Sequence, residues 1–392
     1  MRGGRLVQLL AIGGVAGLAA CGNTTRSSTA EMPSGPPSIG SEPFGQVDGT
    51  AVSRYTLVSG RGTRVRILTY GGIIQSVEVP DRSGHIDNVV LGFPTLAGYL
   101  NNTGAAKTYF GAIIGRYGNR IARGTFSLNG AEYRLPANNN GNSLHGGTEG
   151  FDTKVWQASP QSGKDTVALK LEYVSPAGEM GYPGTLTVTV TYTLNQNNEL
   201  LINYRAATDA PTIVNLTNHS YFNLAGEDAL DIYGQKLTIN ADNYTPTDET
   251  QIPTGQIAPV KGTPFDFTSP TAIGARITAN DPQLLLAHGY DHNWVINRGN
   301  NVGLARAARV EDPQTGRTLT VSTTEPGVHV YTANFIDGAF TGTSGHIYRQ
   351  GAGFTMETQH YPDSPHHPGF PTTTLNPGQT YDSTTIFAFG TA

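Results

Sequence analysis

One histidine stands inside a run of apolar and amide residues, VNLTNHSYFNLAG, from Val214 to Gly226. This residue, His219, follows Asn218 and precedes Ser220 and Tyr221. One interpretation is a buried histidine whose nitrogens are satisfied by neighbouring amides, as most buried polar groups are. The other is a positioned proton donor, because imidazole is the side chain that titrates near neutral pH. The rest of the chain decides between them.

Other polar groups stand beside glycines or follow apolar runs. GRYGNRIARG contains Asn119 and Arg120, NSLHGG contains His145, GYDHNW contains Asp291, and METQHYPDSPHHPGF contains Glu357. An imidazole and a carboxylate in one pocket could act as acid and base near neutral pH. Each group alone also has a structural explanation, such as a salt bridge for the arginine or a turn cap for the aspartate.

Histidines are concentrated in two places, His360 to His367 and His288 to His292. Neither segment has the H-E-x-x-H or C-x-x-C spacing of a zinc site, and the first predicts an irregular loop, because it contains Pro362 and Pro365 and is followed by Pro368. Glycine motifs that cradle phosphates are missing from the sequence, as is the G-x-S-x-G nucleophile elbow. We therefore expect no metal site, no phosphate-binding glycine loop and no nucleophile elbow.

The elements that must position these groups are strands. TLTVTVTYTL, from Thr185 to Leu194, places apolar residues on one face and threonines on the other. Strict alternation of this kind predicts a half-buried antiparallel strand. NQNN then turns the chain and ELLINYRA returns, which predicts a hairpin.

The same period-two pattern recurs along the chain, and only PTLAGYL and DPQLLLA suggest short helices. No fixed-period repeat is present. We expect an all-β fold, one large antiparallel domain over residues 44–392. The strand-like runs are VALKLEYV (167–174), QKLTINAD (235–242), TLTVSTT (318–324) and VHVYTAN (328–334).

Composition excludes some classes of partner. The 392 residues carry a net charge of −5, with lysine and arginine scattered, so no basic stripe predicts nucleic-acid binding. Charged residues make up 14% of the chain, whereas glycine is abundant at 49 residues. This balance is typical of strands and turns and suits a neutral polar ligand.

The first residues have the pattern of an export signal. Arg2 and Arg5 precede an apolar stretch from Leu6 to Ala20, which is short for a membrane span. The segment ends in LAAC and resembles a bacterial lipoprotein signal, in which Cys21 would be lipidated. An ordinary cleaved signal peptide is the alternative. Cys21 is the only cysteine, so no intrachain disulfide can form.

Residues 21–43 are rich in Ser, Thr, Pro and Gly. Such a segment buries too little apolar surface to offset the entropy of ordering, which predicts a flexible tether. We therefore expect a signal peptide at residues 1–20, a lipidated tether at 21–43, and a domain anchored to the bacterial cell envelope that faces the periplasm or the exterior.

Four long blocks in this order resemble the aldose 1-epimerase (galactose mutarotase) family from about Phe44 to the C-terminus. They are GRYGNRIARGTFSLNGAEYRLPANNNGNSLHGGTEGFDTKVW, TNHSYFNLAG, GYDHNWV and METQHYPDSPHHPGFPTTTLNPGQTY. The resemblance implies a β-supersandwich that interconverts the α and β anomers of free hexoses, such as glucose and galactose, without a cofactor.

The resemblance also implies roles for single residues. His219 would be the general acid, Glu357 the general base and His145 a third catalytic group. The implied sugar-binding residues are Asn119, Arg120, His145, His219, Tyr221, Asp291 and His329. The chain departs from the family at His329, where glutamine is common, so the preference among sugars is in question. Tyr221 or Trp294 could cover an apolar face of the sugar.

Three other functions remain as alternatives. A glycoside hydrolase would use two carboxylates, for which Asp291 and Glu357 could serve, but gives His219 no role. A non-catalytic sugar-binding lipoprotein would bind without turnover. A phosphosugar epimerase would need more cationic groups than Arg120 near its pocket.

Overall fold

The structure is a computed structural model that describes residues 35–103 and 107–392. The predicted signal peptide, Cys21 and most of the predicted tether lie outside these residues. The strands of the described residues are β1 (Ser38–Val47), β2 (Thr50–Val58), β3 (Arg64–Leu68), β4 (Ile74–Pro80), β5 (Ile86–Asn88), β6 (Ile113–Ile114), β7 (Arg120–Ile121), β8 (Thr125–Leu128), β9 (Ala131–Arg134), β10 (Ser143–Leu144), β11 (Gln157–Ser162), β12 (Thr166–Ser175), β13 (Leu186–Asn195), β14 (Glu199–Thr208), β15 (Thr212–Ile213), β16 (Thr217–Asn218), β17 (Tyr221–Phe222), β18 (Lys236–Ile239), β19 (Asn243–Thr245), β20 (Ala258–Pro259), β21 (Thr271–Ala272), β22 (Asp291–Val295), β23 (Ala305–Glu311), β24 (Arg317–Thr323), β25 (Gly327–Tyr331), β26 (Asp337–Thr341), β27 (Ile347–Arg349), β28 (Phe354–Gln359), β29 (Thr374–Leu375) and β30 (Tyr381–Thr391).

Helices are short. The two α-helices of the described residues are α1 (Leu96–Leu100) and α2 (Pro282–Ala287), in the two segments where the sequence suggested them. Single 3₁₀ turns occupy Ala122–Gly124, Phe151–Thr153, Glu179–Gly181, Ile273–Ala275 and Ser364–His366. No helix in the described part of the chain is long and apolar enough to cross a lipid bilayer.

Three antiparallel sheets make up most of the fold. The largest has nine strands in the order β11-β12-β13-β14-β30-β24-β23-β18-β21, the second has six in the order β17-β28-β25-β22-β19-β20, and the third has β1 to β5 in sequence order. Five two-stranded pairs complete the sheets of the described residues: β6 with β16, β7 with β10, β8 with β9, β15 with β29 and β26 with β27. The prediction of a large antiparallel all-β fold is confirmed.

The hairpin of β13 and β14 shows why the sequence folds this way. The apolar residues of β13, such as Val188 and Val190, are fully buried, whereas the intervening threonines are exposed or half-buried. Leu186 pairs with Thr208 and Leu194 with Leu200, so the two strands stay in register along the hairpin. Side chains from all three sheets contribute to one apolar cluster, which makes the sheets a single packed unit.

The predicted start of the domain needs a correction. Strand β1 begins at Ser38, six residues before the predicted boundary at Phe44, and pairs with β2 from the outset. It is an edge strand whose side chains are mostly exposed, so it has no apolar alternation from which to predict it. Backbone pairing along β2 orders residues that the composition assigned to a tether.

Candidate active site

The site is built on one face of the six-stranded sheet. Glu357 of β28 lies opposite His329 of β25, and Tyr331 of β25 lies opposite Asp291 of β22. Directly opposite residues share a face, and so do residues two apart along a strand. Alternation therefore places these polar side chains together. The intervening residues, such as Met356, join the apolar cluster on the other face.

Trp294 shows the consequence of this alternation. It is fully buried in the apolar cluster, and its indole Nε1 donates to the carbonyl of Phe265 at 3.0 Å. The expectation that Trp294 could cover a sugar is therefore wrong, because its position in β22 turns it away from the polar face.

All eight of the site residues predicted from the sequence line one cavity of about 460 Å³. This size lies in the range of pockets that bind small molecules. The eight residues come from six segments of the chain: Asn119 and Arg120, His145, His219 and Tyr221, Asp291, His329, and Glu357.

The backbone around His219 is fixed on both sides. The His219 N–H donates to the carbonyl of Ala112 at 2.9 Å, and the His219 carbonyl accepts from Gly111 at 3.0 Å. Asn218 donates from Nδ2 to the Gly111 carbonyl at 2.9 Å and accepts from the Ser220 N–H at 3.0 Å. The amide beside the histidine therefore holds the backbone that carries it and leaves the imidazole itself free.

The imidazole faces the predicted base. His219 Nε2 lies 3.5 Å from Glu357 Oε1, and both side chains are almost completely buried. Thr355 donates to the same oxygen at 3.0 Å. His219 Nδ1 and Glu357 Oε2 are buried and have no hydrogen-bond partner among the described residues. The predicted acid and the predicted base thus each keep one polar atom without a hydrogen-bond partner among the described residues.

His145 is held as a neutral hydrogen-bond donor. Its Nδ1 accepts from the N–H of Asn119 at 3.2 Å, so the ring proton lies on Nε2. Burial lowers the pKa of His145 well below its ordinary value, and the nearby His219 and Arg120 lower it further. The ring is packed edge-on against that of His219, with centroids 4.9 Å apart. The glycine that follows is required, because a Cβ on Gly146 would lie 2.0 Å from the Gly115 carbonyl oxygen.

The position of the ring proton on His145 also bears on metal binding. Candidate ligand atoms of His145, His219 and Glu357 lie within 4.8 Å of one another, close enough to surround a cation. However, a histidine that binds a metal usually donates from its other ring nitrogen. Nδ1 of His145 instead accepts from a backbone N–H, so the nitrogen left for a metal carries a proton. The donor set therefore fits a sugar hydroxyl better than a metal ion.

The two histidine-rich segments do not converge on a ligand set. His360 pairs with Glu325 at 2.6 Å, and His366 pairs with Asp363 at 2.6 Å. His292 is completely buried, next to Asp291 in β22 and therefore on the opposite face of the strand. Local carboxylates and the strand alternation account for their positions.

Asp291 lies at the centre of a hydrogen-bonded network. Its Oδ1 accepts from His329 Nε2 at 2.7 Å, and its Oδ2 accepts from Gln251 Nε2 at 2.9 Å. Arg120 Nη2 lies 3.8 Å from Oδ2. Burial by itself would raise the pKa of Asp291, but the His329 hydrogen bond and the charge of Arg120 outweigh burial and lower the pKa to about 2. The carboxylate is therefore ionised at neutral pH.

Arg120 is held by amides. Its Nε donates to Asn139 Oδ1 at 3.0 Å, its Nη2 donates to Gln251 Oε1, and its backbone N–H donates to Asn119 Oδ1 at 2.9 Å. Asn119 adopts φ of 60°, a left-handed conformation in which asparagine is enriched. This conformation lets one residue contact both His145 and Arg120.

Aromatic rings form the remaining walls. Tyr221 contacts the ring of His219, with centroids 5.1 Å apart, and Tyr109 contacts the rings of both His145 and His219. Burial raises the pKa of Tyr221 well above its ordinary value, so the phenol is neutral. Tyr331 and the half-exposed Phe335 also line the cavity.

Sequence reasoning missed Tyr109, Gln251 and Tyr331. Tyr331 could have been found, because it lies two residues after His329 in a predicted strand and so shares its face. Tyr109 and Gln251 lie in loops between strands, where neither spacing nor composition marks them. Both have positive φ, at 56° and 64°, which no sequence pattern predicts for these residue types.

Comparisons with known proteins show which family the chain belongs to. The family model described as aldose 1-epimerase matches residues 53–388. A galactose mutarotase of Rattus norvegicus is 45% identical over 94% of this chain and 99% of its own length. An aldose 1-epimerase of Escherichia coli is 36% identical over 87% of this chain and 96% of its own. The crystal structure of a galactose 1-epimerase from Lactobacillus acidophilus superimposes with a TM-score of 0.79 at 29% identity, covering 91% of this chain and 99% of that one.

The fold and the similar proteins thus define the chain as a carbohydrate isomerase. The chain belongs to the aldose 1-epimerase family. Its reaction is the interconversion of the α and β anomers of aldoses, and the fold is the galactose mutarotase-like β-supersandwich that the motifs implied.

Proposed function

We propose that Glu357 and His219 catalyse anomer interconversion as a base–acid pair. Glu357 takes the proton of the C1 hydroxyl while His219 donates a proton to the ring oxygen, and the bond between C1 and the ring oxygen breaks. The open-chain aldehyde rotates about the C1–C2 bond. Ring closure on the other face returns both protons and yields the other anomer. Only protons move and no carbon changes its net oxidation state over the reaction, so neither an oxidant nor a hydride acceptor is required.

The observation that carries this proposal is the 3.5 Å contact between His219 Nε2 and Glu357 Oε1 in a buried cavity. The C1 hydroxyl and the ring oxygen are attached to the same carbon, so their acid and base must lie close together. The unpartnered atoms of both side chains leave lone pairs and donors for the substrate. Each positioned proton transfer typically accelerates a reaction by roughly 10²–10⁴-fold.

The remaining groups suit a neutral polyol. Asp291 and Arg120 would bind sugar hydroxyls by charge-assisted hydrogen bonds. His145 would donate from Nε2 to the ring oxygen or to the oxygen on C1, where negative charge develops. Tyr221 and Tyr109 would cover the C–H faces of the ring. We therefore propose free aldohexoses, glucose and galactose among them, as substrates.

The test is polarimetry of freshly dissolved α-D-glucose and α-D-galactose with purified residues 35–392. Glu357→Gln keeps the shape but removes the base, and we expect kcat to fall roughly 10²–10⁴-fold. His219→Asn should fall by a similar factor, and His145→Asn by less. Glu325→Gln and His360→Asn are matched controls, because these two residues form a carboxylate–imidazole pair that does not line the cavity.

The pH dependence of the rate and the behaviour toward other ligands distinguish an epimerase from a sugar-binding protein and from a glycoside hydrolase. The forward step needs an ionised Glu357 and a protonated His219, so the rate should pass through a maximum as pH is raised. Near-wild-type rates in Glu357→Gln or His219→Asn would refute the assignment. Sugar binding without turnover would indicate a binding protein, and release of reducing sugar from an aryl glycoside would indicate a hydrolase.

We also propose that Cys21 is lipidated and anchors the enzyme at the bacterial cell envelope, outside the cytoplasm. The support is the sequence LAAC after an apolar stretch, followed by a Ser- and Pro-rich segment. Stable anchoring takes more than one acyl chain. Cell fractionation of Cys21→Ser should show release from the membrane, and unchanged retention would contradict the anchor.

A further inference from the structure

Gln251 lies where the charged sugar-binding groups meet. Its Oε1 accepts from Arg120 Nη2, and its Nε2 donates to Asp291 Oδ2 at 2.9 Å. The direct separation of the two charged groups, from Nη2 to Oδ2, is 3.8 Å, longer than a hydrogen bond. The glutamine amide therefore connects the guanidinium of Arg120 and the carboxylate of Asp291, which form no hydrogen bond with each other.

A primary amide suits this position at every pH. Arginine is a donor only, and an ionised carboxylate is an acceptor only. An amide offers one of each at the same end, and its orientation is fixed because a flip would turn its NH₂ group toward the guanidinium. Since His329 holds the other oxygen of Asp291, one hydrogen-bonded chain runs through Arg120, Gln251, Asp291 and His329.

The backbone of Gln251 is held in place by its own turn. Its N–H donates to the carbonyl of Asp248 at 3.0 Å, and the Asp248 carboxylate accepts from the N–H groups of Thr250 and Ile252. Gln251 adopts φ of 64°, a conformation that is unfavourable for a residue with a Cβ. Such conformations persist where the surrounding structure holds them, and they cluster at functional sites.

We propose that Gln251 is a positioning residue for sugar binding, which orients Arg120 and Asp291 toward the hydroxyls of the substrate and so sets KM and not the chemical step. The proposal rests on the assignment of Arg120 and Asp291 to sugar binding. Gln251 is remote in sequence from every block that carries the family resemblance and was not among the predicted site residues.

The first test replaces the amide by an apolar side chain of similar length. In Gln251→Met we expect KM for glucose and galactose to rise roughly ten- to hundredfold, because hydrogen bonds to two charged groups are lost. We expect kcat at saturating sugar to stay within about threefold, since neither Glu357 nor His219 is touched. Gln235→Met is the matched control: Gln235 is a buried glutamine that bonds Asn223 and does not line the cavity.

The second test uses a residue that can change between donor and acceptor. A protonated carboxyl in Gln251→Glu can accept from Arg120 and donate to Asp291, as the amide does. An ionised one places its carboxylate beside that of Asp291, and the facing Arg120 guanidinium compensates this repulsion only in part, while the His329 imidazole holds the other oxygen of Asp291. We therefore expect KM near the wild-type value at pH 5 and raised roughly tenfold or more at pH 8, relative to wild type at the same pH.

The outcomes separate this proposal from the assignment of the catalytic pair. Full activity of Glu357→Gln would refute that pair without affecting the KM of the Gln251 variants. An unchanged KM in Gln251→Met, or a loss confined to kcat, would overturn the positioning role. If Gln251→Met does not fold, the ratio of KM at pH 8 to KM at pH 5 in Gln251→Glu decides, and a ratio equal to that of wild type would overturn the proposal.

Discussion

The two ends of the cavity differ in how completely the protein satisfies their carboxylates. At one end, both oxygens of Asp291 accept hydrogen bonds, and Arg120 donates from Nε and Nη2 to two amides. At the other end, His219 Nδ1 and Glu357 Oε2 have no partner among the described residues. Both ends are equally buried, so exposure does not explain the difference.

In the proposed mechanism, this difference separates binding from reaction. A carboxylate surrounded by donors and a nearby cation holds its ionised form, as the pKa of about 2 for Asp291 shows. Such a group is a fixed acceptor and a poor base. A carboxylate with a free oxygen can take up a proton when the substrate supplies one. In the proposed mechanism, two carboxylates on the same face of one sheet, on strands β22 and β28 that are separated by β25, therefore have opposite roles, and their hydrogen-bond partners decide which.

The largest expected effect comes from disabling the reactive end altogether. Glu357→Gln and His219→Asn act on one concerted step, so the double variant should lose far less than the product of the two single losses. We expect its kcat to lie within about tenfold of the slower single variant, a total loss of roughly 10²–10⁴-fold. Polarimetric kcat for the four proteins measures this coupling.

Additive losses in that cycle would contradict a shared step. They would mean that the two side chains act on separate events, such as opening for one and product release for the other. The comparison between the two ends of the cavity would then no longer separate binding from reaction.

The fold was predictable where one face of a strand is buried and the other is exposed to solvent. The alternation in β13 defined a strand to within one residue, since every second residue is buried. Strand β1 was not predictable, because an edge strand held by backbone pairing alone has no such pattern. The reactive residues were reached through the resemblance of whole blocks, whereas Gln251 lies in a loop whose sequence shows neither its φ nor its two charged partners.

An intermediate effect is expected at the binding end. In Asp291→Asn one oxygen becomes an NH₂ group that faces a donor, either His329 or Gln251, so a buried hydrogen bond to a charged group is lost. We expect KM to rise roughly ten- to hundredfold, with a smaller change in kcat. A kcat loss as large as that of Glu357→Gln would place Asp291 in the chemical step.

The same variant has a pH signature in stability. The pKa of Asp291 is lowered from 3.8 to about 2 in the folded protein, so its ionised form stabilises the fold above pH 4. This contribution, about 2 kcal/mol, is lost as pH falls toward 2. The difference in unfolding free energy between wild type and Asp291→Asn should therefore be largest near pH 7 and shrink below pH 4. A difference that is independent of pH would show that the network does not lower this pKa.

The smallest expected effect concerns His329, where the family commonly has glutamine. His329→Gln retains an N–H that can donate to Asp291 Oδ1, so the network and its charge are preserved. The amide differs from the imidazole in reach and in the second polar atom that it presents to the cavity. We therefore expect kcat to change less than about threefold, whereas the ratio of kcat/KM among glucose, galactose and xylose should shift roughly two- to tenfold, the worth of one neutral hydrogen bond.

His329→Phe is the comparison variant, because it fills the space of the ring without a donor and should raise KM for all three sugars together. Identical ratios in wild type and His329→Gln would show that His329 only supports Asp291, and that the choice of sugar is made elsewhere in the cavity.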